Sequence, residues 1–259
     1  MTQKVTIVKI GGNVIDDKES LTLFLSDFAR IKGHKILVHG GGKKATQMAF
    51  SLGLQPAMVE GRRVTDEANL EIVTMVYAGL LNKTIVAGLQ SRTCNAIGLS
   101  GADANVVQAH KRIVKEVDYG FAGDVDKVNA ALISLLLEKD MCPVFCAITH
   151  DMQGQLLNTN ADTIAAEIAK SLADDYEVEL VYCFEKKGVL LELDDENSVI
   201  EKLDTVLYTS LKEKGIIAAG MLPKLENCFL ALNKGVRKVI IGSPAVINEN
   251  RQKFTTLSL

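Results

Sequence analysis

Runs of apolar, largely β-branched residues recur along this chain, and each is followed by a stretch with the period of an amphipathic helix. The first run, 5–10 (VTIVKI), precedes an apolar stripe of Leu21, Leu23, Phe24, Leu25, Phe28 and Ile31. The second, 35–39 (KILVH), precedes a helix over 43–52. Asp66 starts a helical pattern over 67–81 that KTIVAGLQ extends. Then come a helix over 128–138, a strand over 143–148 (PVFCAI), a helix over 161–172 and a strand over 178–182. Helices over 204–214 and 221–234 and a strand over 238–242 close the series, while 58–64 and GADANVVQAHKRIV read as hairpin material. A strand wetted on one face alternates in polarity, whereas a strand buried on both faces reads as a continuous apolar run. The order therefore predicts a three-layer α/β/α sandwich with a mostly parallel central sheet, one domain over 1–259.

Composition limits the function classes. With 47% hydrophobic and 24% charged residues and a net charge of −3, the chain is neither disordered nor a basic nucleic-acid binder. Its longest apolar run, 141–148, is 8 residues, well below the roughly 20 that a membrane span needs. The start, MTQKVTIVKIGG, carries no apolar signal core. Five cysteines without ligand spacing read as core thiols. These features lead us to expect a cytoplasmic protein with neither nucleic acid nor membrane as partner.

Two strands end in glycine clusters, KIGG at 9–12 and HGGG at 39–42. Ligands of parallel sheets sit outside the carboxyl ends of strands, where glycine lets backbone amides come close to an anion. Each cluster could be only a tight strand-to-helix turn, but two in successive βα units favour a phosphate or carboxylate site. No Walker-type G-x-x-x-x-G-K-[ST] is present. Gly40-x-Gly42-x-x-Ala45 matches a loose dinucleotide fingerprint, but it follows the second strand, and Glu60 precedes Gly-Arg-Arg instead of ending a strand. Lys9 interrupts an otherwise apolar strand, so it either snorkels from an edge or faces an anion at the strand's mouth. Asn158, Asn160 and Asp162 open one helix, and capping explains one of the three. Lys224 follows the Gly220 turn, and Arg62 and Arg63 stand together where arginine could grip a carboxylate.

KIGG, HGGG, G-x-R-V-T, N-x-N-A-D and G-M-x-x-K, in that order from Lys9 to Lys224, resemble the amino-acid kinase family, most closely its members that act on N-acylated glutamate. The resemblance implies that ATP, entering with Mg²⁺ and without a dedicated protein metal site, phosphorylates the substrate's side-chain carboxylate in arginine biosynthesis. It further implies that Lys9 and Lys224 neutralise the transferring group while Asp162 holds both lysines. Gly11 and Gly12 would bind phosphate; Gly41, Gly42, Arg63 and Asn158 would bind the acylglutamate. Glu185, Lys186, Lys187, Gly188, Ile216, Ile217 and Ala218 would contact the nucleotide. In such enzymes the N-terminal part, here about 1–175, binds the acyl-amino acid, and the C-terminal part, about 176–259, binds ATP. Two segments depart from the family pattern: Glu185-Lys186-Lys187-Gly188 replaces Asp-Val-x-Gly, and Ala219 replaces an aspartate before Gly220-Met221. Another small-carboxylate or carbamate kinase, or a sensor built on the same fold, are the other readings. A homodimer insensitive to arginine is expected, because the first strand begins too near Met1 for the N-terminal helix that interlaces hexameric members. Arg62 stands where relatives carry an apolar residue; it is either solvent-facing or, with Lys43 or Lys44, a partner for an acyl group ending in a carboxylate such as succinyl.

Overall fold

The computed structural model describes residues 3–59, 61–114, 116–192, 194–217, 221–248 and 253–259. Its first third runs β1 (Lys4–Ile10), α1 (Gly12–Ile15), α2 (Lys18–Arg30), β2 (His34–His39), α3 (Gly42–Ser51), β3 (Met58–Val59), β4 (Arg62–Arg63), α4 (Glu67–Val73) and α5 (Asn82–Gln90). The middle holds β5 (Ala96–Leu99), β6 (Val107–Lys111), β7 (Ala122–Val128), α6 (Ala130–Glu138), β8 (Cys142–Phe145), β9 (Ile148–His150), β10 (Leu156–Thr159) and α7 (Ala161–Leu172). The chain closes with β11 (Glu177–Cys183), β12 (Lys202–Leu203), α8 (Thr205–Glu213), α9 (Leu222–Asn233), β13 (Lys238–Gly242) and β14 (Thr255–Leu257).

Among the described residues, eight strands form the central sheet in the order β12-β14-β13-β11-β1-β2-β8-β5, parallel except where β14 runs antiparallel to β13. Right-handed crossovers assign the helices to faces. The steps from β1 to β2 and from β2 to β5 move one way along the sheet and put α2 and α5 on one face. The steps from β5 to β8, β8 to β11 and β11 to β13 move the other way and put α6, α7 and α9 on the opposite face. The chain thus changes winding direction between β1 and β11, and in open parallel sheets a ligand cleft lies at such a switch point. In the core, the β1 residues Val5, Ile7, Val8 and Ile10 and the β11 residues Val178 and Leu180 have no exposed surface. All five cysteines are buried free thiols.

Local chemistry explains the helix starts. Asp17, Asp66, Asn129, Asn160 and Asp204 each occupy an N-cap and accept a backbone N–H with the side chain. The pattern that Asp66 begins is one continuous helix, Glu67–Gln90, whose middle, Thr74–Leu81, is π-helical. By length and composition it could cross a membrane, but Leu70, Ile72, Val73, Val76, Ile85 and Leu89 are buried in this core.

Two expectations are corrected. The single strand over 143–148 is two: β8 belongs to the large sheet, whereas β9 joins β6, β7 and β10 in a small closed barrel. The exchange happens at Cys146 and Ala147, where the Cys146 amide still bonds Leu99 and the Ala147 carbonyl already accepts from Thr159. An apolar run carries no mark of such a change of sheet. GADANVVQAHKRIV is not a hairpin in itself: its one strand, β6, pairs antiparallel with the more distant β7. The sandwich also carries short strands, β12 and β14, that no sequence pattern announced. The expected hairpin over 58–64 is present as β3 and β4.

Candidate active site

Two cavities open at the carboxyl ends of the central strands. The larger, about 570 Å³, is lined by Gly40–Gly42, Arg62, Arg63, Arg112, Tyr77 and Asn158 among others. The smaller, about 370 Å³, sits at the switch point and is lined by Lys9, Gly11, Gly12, Phe184, Glu185, Lys186, Gly188 and Lys224 among others. Ala161 borders the first; Asp162, the next residue, reaches Lys9 in the second.

Lys9 is the next-to-last residue of β1, between Val38 of β2 and Tyr182 of β11. It is not at an edge. Its Nζ lies 2.7 Å from Asp162 Oδ1, with both side chains about nine-tenths buried. Asp162 is held in turn by its place in the first turn of α7, where its amide donates to Asn160 Oδ1 at 2.7 Å and its carbonyl accepts from Tyr182 Oη at 3.0 Å. Lys224, on α9, lays its ammonium 4.2 Å from the centroid of the Phe184 ring, and Lys9 approaches the same ring at 5.7 Å. Burial lowers the Lys224 pKa; the Asp162 charge opposes that shift and the Lys9 charge reinforces it. Lys9, Lys186 and Lys224 thus line this cavity with Glu185, and Asp162 stands behind Lys9, so three cations face two carboxylates and a net positive charge is left for an anionic ligand. Asp162 pairs directly with Lys9, while Lys224 rests on aromatic surface.

The larger cavity is built around a guanidinium. Arg63 is 7% exposed and donates to Thr46 Oγ1 at 2.6 Å, to the Gly42 carbonyl at 3.0 Å and to Asn69 Oδ1 at 3.4 Å. Tyr77 lies beside it; burial raises the Tyr77 pKa and the Arg63 charge opposes the shift. Asn158 Nδ2 donates to Thr65 Oγ1 at 2.9 Å. Of the glycines in this turn, Gly41 is the one that close contact requires. A Cβ on Gly41, whose φ is 155°, would lie 2.3 Å from Leu81 Cδ1 and 3.0 Å from Tyr77 Cδ1. Gly41→Ala should cost about 1–3 kcal/mol through strain and overpacking, visible as a lower Tm together with weaker binding in this cavity.

Of the residues singled out from sequence, Gly41, Gly42, Arg63 and Asn158 meet in the larger cavity, and Lys9, Gly11, Gly12, Glu185, Lys186, Gly188 and Lys224 in the smaller. Asp162 stands behind Lys9 and lines neither. Ile217 is buried in the core and Ile216 packs against it. Lys187 lies 3.9 Å from Glu196, away from the cavity lining. Ala218 lies outside the described residues. Arg62 and Arg63 both line the larger cavity, Arg63 buried and Arg62 exposed at its rim, so their alternation along a strand does not separate them. Lys43 lines it too, whereas Lys44 does not. Sequence reasoning missed Tyr77, Arg112, Tyr182 and Phe184. Phe184 had one local signal, an aromatic residue directly after a strand's carboxyl end; Arg112 had none.

Both cavities, one built around a buried arginine and the other lined by lysines, suit anionic ligands. The amino acid kinase family model matches residues 4–243, and the chain belongs to that family. It is 53% identical over 250 residues to the acetylglutamate kinase of Bacteroides thetaiotaomicron, covering 96% of this chain and 97% of that one. It is 53% identical over 260 residues to the acetylglutamate kinase of Cytophaga hutchinsonii, covering 98% of each. The carbamate kinase of Giardia lamblia bound to AMP-PNP shares the fold, with a TM-score of 0.69, 15% identity and 99% and 98% coverage.

Proposed function

We propose that this chain is an ATP-dependent kinase of arginine biosynthesis that phosphorylates the side-chain carboxylate of N-acetyl-L-glutamate, releasing ADP and an acyl phosphate. The observation that carries this reading is the Lys9–Asp162 pair at the junction of two cavities, one of them built around a buried arginine. A carbamate kinase is the weaker reading, since that likeness is one of fold at 15% identity.

A glutamate side chain, pKa about 4.3, is already ionised at neutral pH, so the attacking oxygen needs no general base. The barrier comes from bringing one anion against another, and catalysis is alignment and charge neutralisation. Arg63 holds the α-carboxylate and Asn158 the amide end of the substrate. The Gly41 and Gly42 amides receive the reacting carboxylate, and Gly11 and Gly12 receive phosphate oxygens. Lys9 and Lys224 take up charge on the transferring group. Glu185, Lys186 and Gly188 flank the nucleotide. Mg²⁺ would be held by triphosphate oxygens and water, because Glu185 is the one carboxylate lining the smaller cavity among the described residues. The larger cavity is lined from within 1–175, and the smaller one draws on both ends of the chain, so the acyl-amino acid occupies the N-terminal part and ATP the seam with 176–259. The enzyme acts in the cytoplasm as a homodimer, for which light scattering should return twice 28.1 kDa.

The deciding experiment is ADP release with N-acetylglutamate, N-succinylglutamate, free glutamate, aspartate and UMP. Absence of turnover with both acylglutamates would overturn the reading. Arg63→Ala should raise KM for the acylglutamate about tenfold or more and leave kcat closer to wild type, because the gripped carboxylate does not react. At the rim, Arg62 stands near Asp124, whose carboxylate pKa is lowered chiefly by its hydrogen bond to Arg112. If Arg62 supplies an acyl-end cation, Arg62→Leu should lower kcat/KM for N-succinylglutamate about tenfold relative to N-acetylglutamate. An unchanged ratio would make Arg62 a solvent-facing residue only.

A further inference from the structure

The glycine turn after β2 is gripped from behind by a buried polar network that the mechanism above leaves unused. His39, the last residue of β2, has no exposed surface, and Asn82, the first residue of α5, has 1%. His39 Nδ1 lies 2.8 Å from the Gly40 carbonyl oxygen. A carbonyl only accepts, so Nδ1 carries the proton. Nε2 is 3.1 Å from Asn82 Nδ2 and, in a neutral ring, accepts from it. Burial keeps the ring neutral, with its pKa lowered to about 4. Asn82 spends its second amide hydrogen on the Val144 carbonyl at 2.9 Å, and its Oδ1 accepts from Lys83 Nζ at 3.2 Å. Each group in the chain fixes the orientation of the next.

The surroundings give this network a purpose beyond packing. The π-helical stretch, whose bonds run from i to i+5, brings residues four and five apart onto one face. Tyr77, Leu81 and Asn82 therefore meet the glycine turn together, Tyr77 and Leu81 against Gly41 and Asn82 through His39. On the other side, Arg63 ties down the Gly42 carbonyl at 3.0 Å. Both carbonyls that flank Gly41 are thus held, while the amides at the start of α3 have no partner in a preceding helical turn. A buried polar pair is costly unless fully satisfied, and apolar side chains of similar size would fill the same space.

We propose that His39, locked by Asn82, is a positioning residue for phosphoryl transfer: by fixing the Gly40 carbonyl it aims the Gly41 and Gly42 amides at the acceptor carboxylate. The proposal rests on the acylglutamate reading of the larger cavity. Two measurements test it. Long-range ¹H–¹⁵N spectra of the wild-type imidazoles at neutral pH should show His39 as a neutral ring protonated on Nδ1; an Nε2–H tautomer or an imidazolium would overturn it. In steady-state kinetics, His39→Leu should lose at least tenfold in kcat/KM for the acylglutamate with KM for ATP within twofold of wild type. His39→Asn, whose amide nitrogen can donate as Nδ1 does, should recover most of that loss. Wild-type kinetics in a folded His39→Leu, or equal losses in both variants with both KM values raised, would reduce His39 to a packing residue and end the proposal. Absence of acylglutamate turnover in the wild type would overturn the substrate reading and the cradle with it, whereas an Nε2–H tautomer with normal turnover overturns this proposal alone.

Discussion

Replacing Lys9 or Lys224 by methionine should lower kcat by roughly 10²–10³, the range observed when one preorganised electrostatic donor is removed from a transition state. Methionine keeps the length of the stem and removes only the charge. The two variants differ in their cost to the fold. Lys9→Met strands Asp162, which is 8% exposed, and breaking a buried pair costs about 3–5 kcal/mol. Lys224 rests on the Phe184 ring, 4.2 Å from its centroid, where a thioether also packs well. A Lys224→Met protein with wild-type Tm and a kcat reduced 10²-fold or more would therefore separate catalysis from folding. KM for the acylglutamate should change little in either variant, since the binding grip sits on Arg63 in the other cavity. Near-normal kcat in both variants would move the phosphoryl site elsewhere.

The parts of this molecule that were readable in sequence share a physical cause. Parallel strands buried on both faces write themselves as apolar runs, so β1, β2, β11 and β13 were found close to their true bounds. Lys9 stood out because a charge in such a run demands a partner, and Asp162 is that partner at 2.7 Å. Capping residues marked α4 and α7 because their side chains act within three positions of the helix start. What stayed hidden depends on contacts between residues far apart in sequence. His39 meets Asn82 across 43 positions, and Asn158 meets Thr65 across 93. The change of sheet at Cys146 is invisible for a related reason: the old neighbour Leu99 and the new one Thr159 are both supplied by topology. Arg62 shows the limit of the alternation rule, because a two-residue strand at a cavity rim can turn both arginines to the same space.

Asp162→Asn should lower kcat/KM about 10²-fold, because a misplaced catalytic group can cost that much without being removed, and should also displace the alkaline limb of the pH profile. The sign follows from the surroundings of Lys224, which must be protonated to neutralise phosphate. Burial disfavours its ammonium and lowers its pKa, the Asp162 charge raises it, and the Lys9 charge lowers it further. With asparagine at 162 the largest upward influence is gone, and only the smaller contributions of Cys228 and Glu185 are left to oppose burial and the Lys9 charge. The alkaline limb of kcat/KM for ATP, which reports the free enzyme, should therefore move to lower pH than in wild type. The limb of kcat reports the complex, in which bound phosphates supply negative charge of their own, and should move less. A Tm scan distinguishes these effects from unfolding, since the amide leaves Lys9 unpaired while keeping the volume of the side chain. A variant with full activity and an unshifted alkaline limb would show that Asp162 does no more than neutralise Lys9 within the fold, and that Lys224 takes its charge state from the nucleotide alone.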